Sequence, residues 1–108
     1  MTKAVDLNNR YIGVTMGEKS YNKIVTMSKD SKEKLSYSQA CLKIMDEYIR
    51  ENPDFTVNKM IPDEPHRNKQ INLFVTPEAK KEYLRMAQNS GRTLSDFCYR
   101  LILLALNL

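Results

Sequence analysis

One stretch of this chain sets a problem that the rest must solve. Between Gln70 and Leu106 the sequence reads Q-I-N-L-F-V-T, then P-E-A-K-K-E-Y-L-R-M-A-Q-N-S-G, then R-T-L-S-D-F-C-Y-R-L-I-L-L-A-L. Ile71, Leu73 and Val75 alternate with Gln70, Asn72 and Phe74, which predicts a half-buried strand. Thr76 suits an N-cap, Pro77 the first helical position and Glu78 the positive end of the helix dipole. Ala79, Tyr83, Met86 and Ala87 recur at helical spacing, and Gly91 stands where a left-handed C-cap would end that helix. Thr93 or Ser95 can cap a second helix with an apolar face of Phe97, Cys98, Leu101, Ile102 and Ala105. One strand and two short helices cannot bury these faces alone. The strand needs a second strand, and the last helix a second helix.

A fainter copy of the pattern begins at Arg10. In Y-I-G-V-T-M, Ile12, Val14 and Met16 alternate with Tyr11, Gly13 and Thr15. Tyr21, Ile24, Val25 and Ser28 then match Tyr83, Met86, Ala87 and Ser90 at an offset of 62. The segment S-Y-S-Q-A-C-L-K-I-M-D-E-Y-I lies over the last helix at an offset of 57, pairing Ser38 with Ser95 and Cys41 with Cys98. The change of offset, 62 − 57, implies five extra residues in the first turn. A repeat of this kind is one supersecondary unit copied. The expected organisation is a polar arm over residues 1–9, a first unit over 10–51, a linker over 52–69 and a second unit over 70–108. Lys34 to Arg50 should be helical, with Asn52-Pro53 ending the helix. In the linker, Phe55, Val57, Met60 and Ile61 are apolar enough to pack on the helices. In the other reading, K-I-V-T-M-S is itself a strand, or residues 31–50 form a single amphipathic helix, and the protein dimerises through residues 70–108 alone.

The order strand-helix-helix, with these lengths and turn residues, resembles the ribbon-helix-helix DNA-binding families, such as the Arc and MetJ repressors and the CopG-like proteins. In those families two units share one antiparallel ribbon that lies in the major groove. Two units in one chain are similar to the TraY proteins of conjugative plasmids, as is D-E-Y-I-R-E-N-P-D-F after the first unit. The resemblance implies a mainly α fold with a short β-ribbon, the two units forming one intramolecular pseudo-dimer. It also implies a role as a transcriptional regulator or as an accessory protein at a transfer origin, working with a relaxase. The sequence departs from the family pattern at Gly13, at Phe74 in the outward phase, and in a first interhelical turn that is long and lacks glycine.

If the ribbon enters a major groove, alternation assigns Tyr11, Gly13 and Thr15 on one strand and Gln70, Asn72 and Phe74 on the other to the base edges. Asn72 and Gln70 suit paired hydrogen bonds to adenine, and Phe74 either packs on a thymine methyl or folds back over the core. The strands differ, so the site read should be asymmetric. Phosphates should be held at the start of each second helix, by Lys34, Ser36 and Ser38 in the first unit and Arg92, Thr93 and Ser95 in the second. The same hydroxyls also suit ordinary capping. Lys3 and Arg10 could extend the contact to the DNA backbone. Lys80, Lys81 and Arg85 read as a solvated helix face.

The formal charge is +4, from 17 Lys plus Arg against 13 Asp plus Glu, with a pI near 9.1. That suits an anionic partner without requiring one. No apolar run approaches the ~18 residues of a membrane helix, and the first ten residues hold no signal-peptide core. Two cysteines without further pattern fit a reducing compartment, so a cytoplasmic protein of a bacterium, plasmid or phage is expected. Cys41 and Cys98 read as buried small hydrophobes, or as a thiol switch if they meet across the pseudo-twofold axis. The six methionines fit core plasticity. His66 has no His/Cys cluster around it, and the sequence has no phosphate-binding glycine loop and no nucleophile with a base. The expectation is a protein without enzymatic activity, cofactor or metal.

Two rivals stay open. An antitoxin-like or phage-encoded adaptor would use the leucine-rich last helix to bind a protein, and a non-specific architectural protein would bind any duplex. Leu103, Leu104, Leu106 and Leu108 either complete the core or offer a surface to a second copy, which would let two molecules occupy neighbouring DNA sites.

Overall fold

The computed structural model describes residues 10–55, 57 and 64–107. The arm over residues 1–9 with its Lys3, the linker residues Met60 and Ile61, and Leu108 lie outside the described residues. The elements run β1 (Tyr11–Met16), α1 (Glu18–Asp30), α2 (Tyr37–Glu51), β2 (Lys69–Phe74), α3 (Pro77–Asn89) and α4 (Leu94–Ala105). The chain is thus mainly helical, with one two-stranded antiparallel ribbon.

The ribbon pairs Tyr11 with Phe74, Gly13 with Asn72 and Thr15 with Gln70 on one face, and Ile12 with Leu73 and Val14 with Ile71 on the other. The second face is buried, as are Met16 and Val75 beside it. Strict alternation fixes this register, because a slip of one residue would turn every apolar side chain to solvent. K-I-V-T-M-S lies inside α1, with Ile24 in the core, so it is not a strand.

α2, α3 and α4 each start on a local side-chain cap. The Ser36 side chain accepts from the Gln39 N–H while Gln39 reaches back to the Ser36 N–H, a capping box that starts α2 at Tyr37. The expected start at Lys34 is therefore wrong. Lys34 has φ 52, a left-handed turn conformation that cannot open a helix. α3 starts on Thr76, whose hydroxyl accepts from the Ala79 N–H at 3.1 Å, with Pro77 behind it. It ends at Gly91, φ +68, where the Arg92 N–H donates to the Ala87 carbonyl and the Gly91 N–H to that of Gln88, both at 3.0 Å. Thr93 caps α4 through the Asp96 N–H at 3.2 Å. α1 has no side-chain cap on its own N-cap residue, Gly17.

These caps also correct the internal alignment. Gly17 and Thr76 stand 59 apart (76 − 17), and Ser36 and Thr93 stand 57 apart (93 − 36). The buried Ile24 therefore corresponds to the buried Tyr83, rather than Tyr21 to Tyr83, and the first turn is two residues longer (59 − 57), not five. A slip of three residues nearly preserves the face of a helix, so side-chain periodicity alone could not distinguish 62 from 59.

α4 is the centre of the fold. Phe97 to Leu103 are buried on every side, against the ribbon, α2 and α3, while Leu104, Ala105 and Leu106 are half-exposed. Leu103 thus belongs to the core, while Leu104 and Leu106 pack on its edge and stay partly open to solvent. Phe55 and Val57 of the linker pack on this core. Lys81 and Arg85 are exposed, and Arg85 pairs with Glu82, but Lys80 is buried at 4% exposure. Its place on the solvated face is thus wrong. Lys80, Tyr83 and Ala87 form the buried stripe of α3, so its stem must lie along apolar surface. No helix among the described residues is long and apolar enough to cross a membrane.

Candidate nucleic-acid interface

The outward face of the ribbon brings all six sequence-assigned residues together, and its two ends differ. At one end Tyr11 and Phe74, half-exposed at 50% and 52%, meet edge to face with ring centroids 5.2 Å apart. Phe74 thus points outward and does not fold over the core. At the other end Thr15 pairs with Gln70, beside exposed Lys69 and half-buried Arg67. Between them Gly13 faces Asn72. There the Gln70 amide N–H donates to the Asn72 side-chain carbonyl at 3.0 Å. A Cβ added to Gly13 would stand 3.2 Å from Gln70 Nε2 and 3.5 Å from Asn72 Oδ1. Glycine therefore leaves the space over which this amide couple lies. The two amides do not present two independent donor–acceptor pairs, as the sequence led one to expect. The couple offers chiefly the Asn72 NH₂ and the Gln70 carbonyl oxygen.

The second helices flank the ribbon and are tied to it. The Phe74 N–H donates to Ser38 Oγ at 2.7 Å, joining α2 to β2, and the Ser95 hydroxyl donates to the Gly13 carbonyl at 2.5 Å, joining α4 to β1. Ser38 keeps a hydroxyl hydrogen for an anion, whereas that of Ser95 is already used. Ser36 and Thr93 likewise accept within their caps and keep their hydrogens. The first-turn N–H groups that no cap takes up add to these donors.

Two of the phosphate candidates are placed differently from expectation. Lys34 precedes the N-cap of α2 in an exposed turn. Arg92 does not reach outward: its guanidinium lies 2.6 Å from Asp96, with the side chain 14% exposed. Asp96 itself, in the first turn of α4, opposes an anion there, although Arg92 and Arg100 (3.5 Å) offset its charge. The first turn of α2 holds no acidic residue, so it is the better anion site of the two.

A further cluster beside the ribbon is absent from the sequence reading. Glu64 accepts from the N–H groups of Gly17 (3.1 Å) and Ser20 (3.0 Å) and from the Ser20 hydroxyl (2.5 Å), supplying the cap that Gly17 lacks. Its own N–H donates to the buried Tyr99 hydroxyl at 3.0 Å. Partial burial pushes the Glu64 carboxyl up, but the hydrogen bonds from Ser20, Gly17 and Tyr99 outweigh it and hold the group below its usual range. Arg67 lies 3.7 Å over the Tyr99 ring and donates to the Thr15 carbonyl at 2.8 and 3.1 Å. The signal in the sequence was G-E-K-S: a helix start without a capping side chain must find its acceptor elsewhere.

Cys41 and Cys98 are both fully buried, and both thiols are pushed up to about 12, by burial first and for Cys98 also by Cys41. They belong to the core. Comparison with family models, with curated proteins and with solved structures found no match to this chain.

Proposed function

We propose that this chain is a tandem ribbon-helix-helix protein, its two units folded as one pseudo-dimer, that binds double-stranded DNA with sequence preference through the ribbon. The observation that carries the reading is the outward face itself. Of six outward positions on two paired strands, five carry aromatic, amide or hydroxyl groups and the sixth is Gly13, and a helix start flanks them on each side. A two-stranded ribbon matches the width of the major groove. The register supports the pseudo-dimer. With an offset of 59, the pair Tyr11–Phe74 maps onto Gln70–Thr15, and Gly13–Asn72 maps onto itself at a local twofold axis.

The ends of the ribbon then predict the site. Tyr11 and Phe74 suit thymine methyls, Thr15 and Gln70 suit donor and acceptor edges, and the Gln70–Asn72 couple reads the centre, preferring adenine. The site is asymmetric. The protein acts as a transcriptional regulator or as an accessory protein at a plasmid transfer origin, with a relaxase as partner in the second case, and needs neither catalysis nor cofactor. Of the leucines that an adaptor would use, Leu103 is buried and Leu104 and Leu106 are half-exposed.

Fluorescence anisotropy with duplex pools, including DNA around its own gene, against scrambled competitor tests this. Selective binding that weakens steeply with salt is expected. Equal affinity for every duplex would leave an architectural protein, and no binding to any duplex would sink the reading.

A further inference from the structure

The two halves of the chain differ in how the start of their first helix is covered. Beside β1 and α1, the segment that enters β2 is seated: Glu64 on Gly17, Ser20 and Tyr99, and Arg67 on the Tyr99 ring. The equivalent place beside β2 and α3 is an open groove of about 400 Å³ between α2 and α3. Its walls include Leu42, Thr76 and Ala79, which stand where Tyr99, Gly17 and Ser20 stand opposite, at the offsets of 57 and 59. Their chemistry has changed in one direction. Gly17 borrows a carboxylate as its cap, whereas Thr76 caps its own helix through the Ala79 N–H. The Ser20 hydroxyl is replaced by the methyl of Ala79, and the Tyr99 hydroxyl by Leu42. A polar cradle that takes a glutamate thus has an apolar counterpart, extended by Phe74 and Met86.

We propose that this groove is the seat of the chain's own residues 3–7, K-A-V-D-L, with Val5 in the place that Glu64 holds on the other side. The proposal rests on the two-unit reading above, since the offset that relates Gly17 to Thr76 relates Val5 to Glu64 (64 − 59). The change of residue follows the change of cradle: a carboxylate where N–H and hydroxyl donors converge, a valine where methyl groups do. The path is short. The Val75 N–H donates to the Arg10 carbonyl at 2.8 Å, so Arg10 lies beside the groove's rim at Phe74, Val75 and Thr76. Five extended residues span about 17 Å, enough to carry the chain from Arg10 to Val5 across it. Lys3 supplies a positive charge opposite the groove's acidic side chains, Asp46 and Glu82. Docking this segment on the protein also withdraws Lys3 from the DNA contact that a free arm would make.

The test is paramagnetic broadening in the full chain without DNA. A nitroxide on Thr2→Cys, with the buried Cys41 and Cys98 left unlabelled, should erase the amide signals of Leu42, Ala79 and Met86. It should spare Met27 and Ile44 in the separate groove between α1 and α2. Adding Val5→Asp and Leu7→Asp should restore the lost signals. Signals at Leu42, Ala79 and Met86 that survive the nitroxide, or broadening centred on Gly13 and Asn72, would overturn the proposal, as would broadening that persists with both aspartates. Broadening of the groove in trans, from a spin-labelled chain onto an isotope-labelled one, would place a second copy's segment there and overturn it too. Failure of the two-unit arrangement shows separately, as missing cross-strand contacts between Gly13 and Asn72, and failure of DNA binding leaves this readout unchanged.

Discussion

Replacing Glu64 with alanine isolates the device that holds the chain before β2 against α1. The carboxylate accepts from two backbone N–H groups and one hydroxyl at the start of a helix with no side-chain cap of its own, and from the Tyr99 hydroxyl at 3.3 Å. Losing the cap costs about 1 kcal/mol. Leaving the buried Tyr99 O–H without its acceptor costs about 1 kcal/mol more. The Ser20 hydroxyl keeps a bond to the Gly17 carbonyl at 3.2 Å and adds little to the loss. Urea unfolding at pH 7 should therefore show Glu64→Ala destabilised by about 2 kcal/mol with an unchanged m-value, and a melting point lower by roughly 10 °C. The sign with pH follows from the depressed native carboxyl. Its contribution is complete above the unfolded value of about 4.3 and is lost as pH falls through the lower native value. Wild type and Glu64→Gln should thus differ at neutral pH and converge in acid. A change below about 0.5 kcal/mol in Glu64→Ala, within the range of ordinary surface substitutions, would refute the latch.

Ser36→Ala removes the acceptor of the Gln39 N–H, leaves the backbone N–H of residue 36 bonded to the Gln39 side chain, and should cost about 1 kcal/mol by thermal or urea unfolding. A variant as stable as the wild type would show that α2 does not depend on it. Cys41 and Cys98 should resist thiol reagents at pH 8 in the folded protein and react only on unfolding, because thiols at about 12 hold almost no thiolate there. Rapid labelling of native protein would contradict their burial. Gly13→Ala should displace the Gln70–Asn72 couple, since the new Cβ stands 3.2 Å from Gln70 Nε2. Altered base preference without loss of fold is expected, read by competition binding and circular dichroism. Unchanged preference would separate the couple from recognition.

Much of the fold was legible because local rules and burial agreed. The alternation of Ile71, Leu73 and Val75, the Thr76-Pro77 start and the Gly91 stop each point to one structure without outside help. The outward positions followed from the same alternation. What was lost depended on competing or distant forces. The charge of Lys80 points to solvent, although its spacing to Tyr83 and Ala87 places it on the buried stripe. The run from Lys34 reads as helical throughout, although Ser36 and Gln39 spell a capping box that starts α2 at Tyr37. The Glu64 latch joins residues 44 to 47 positions apart and leaves no periodic trace. The Gln70–Asn72 couple arises because the side chains bond each other before any ligand arrives, in the space that Gly13 leaves.

Selection from a randomised duplex library, run with wild type and with Asn72→Ala, tests the central claim most directly. The account predicts a short non-palindromic site whose ends differ, with Asn72→Ala relaxing the choice of base near the centre and sparing the thymine preference at the Tyr11–Phe74 end. A palindromic site, a variant with the same preferences as the wild type, or no enrichment at all would contradict it.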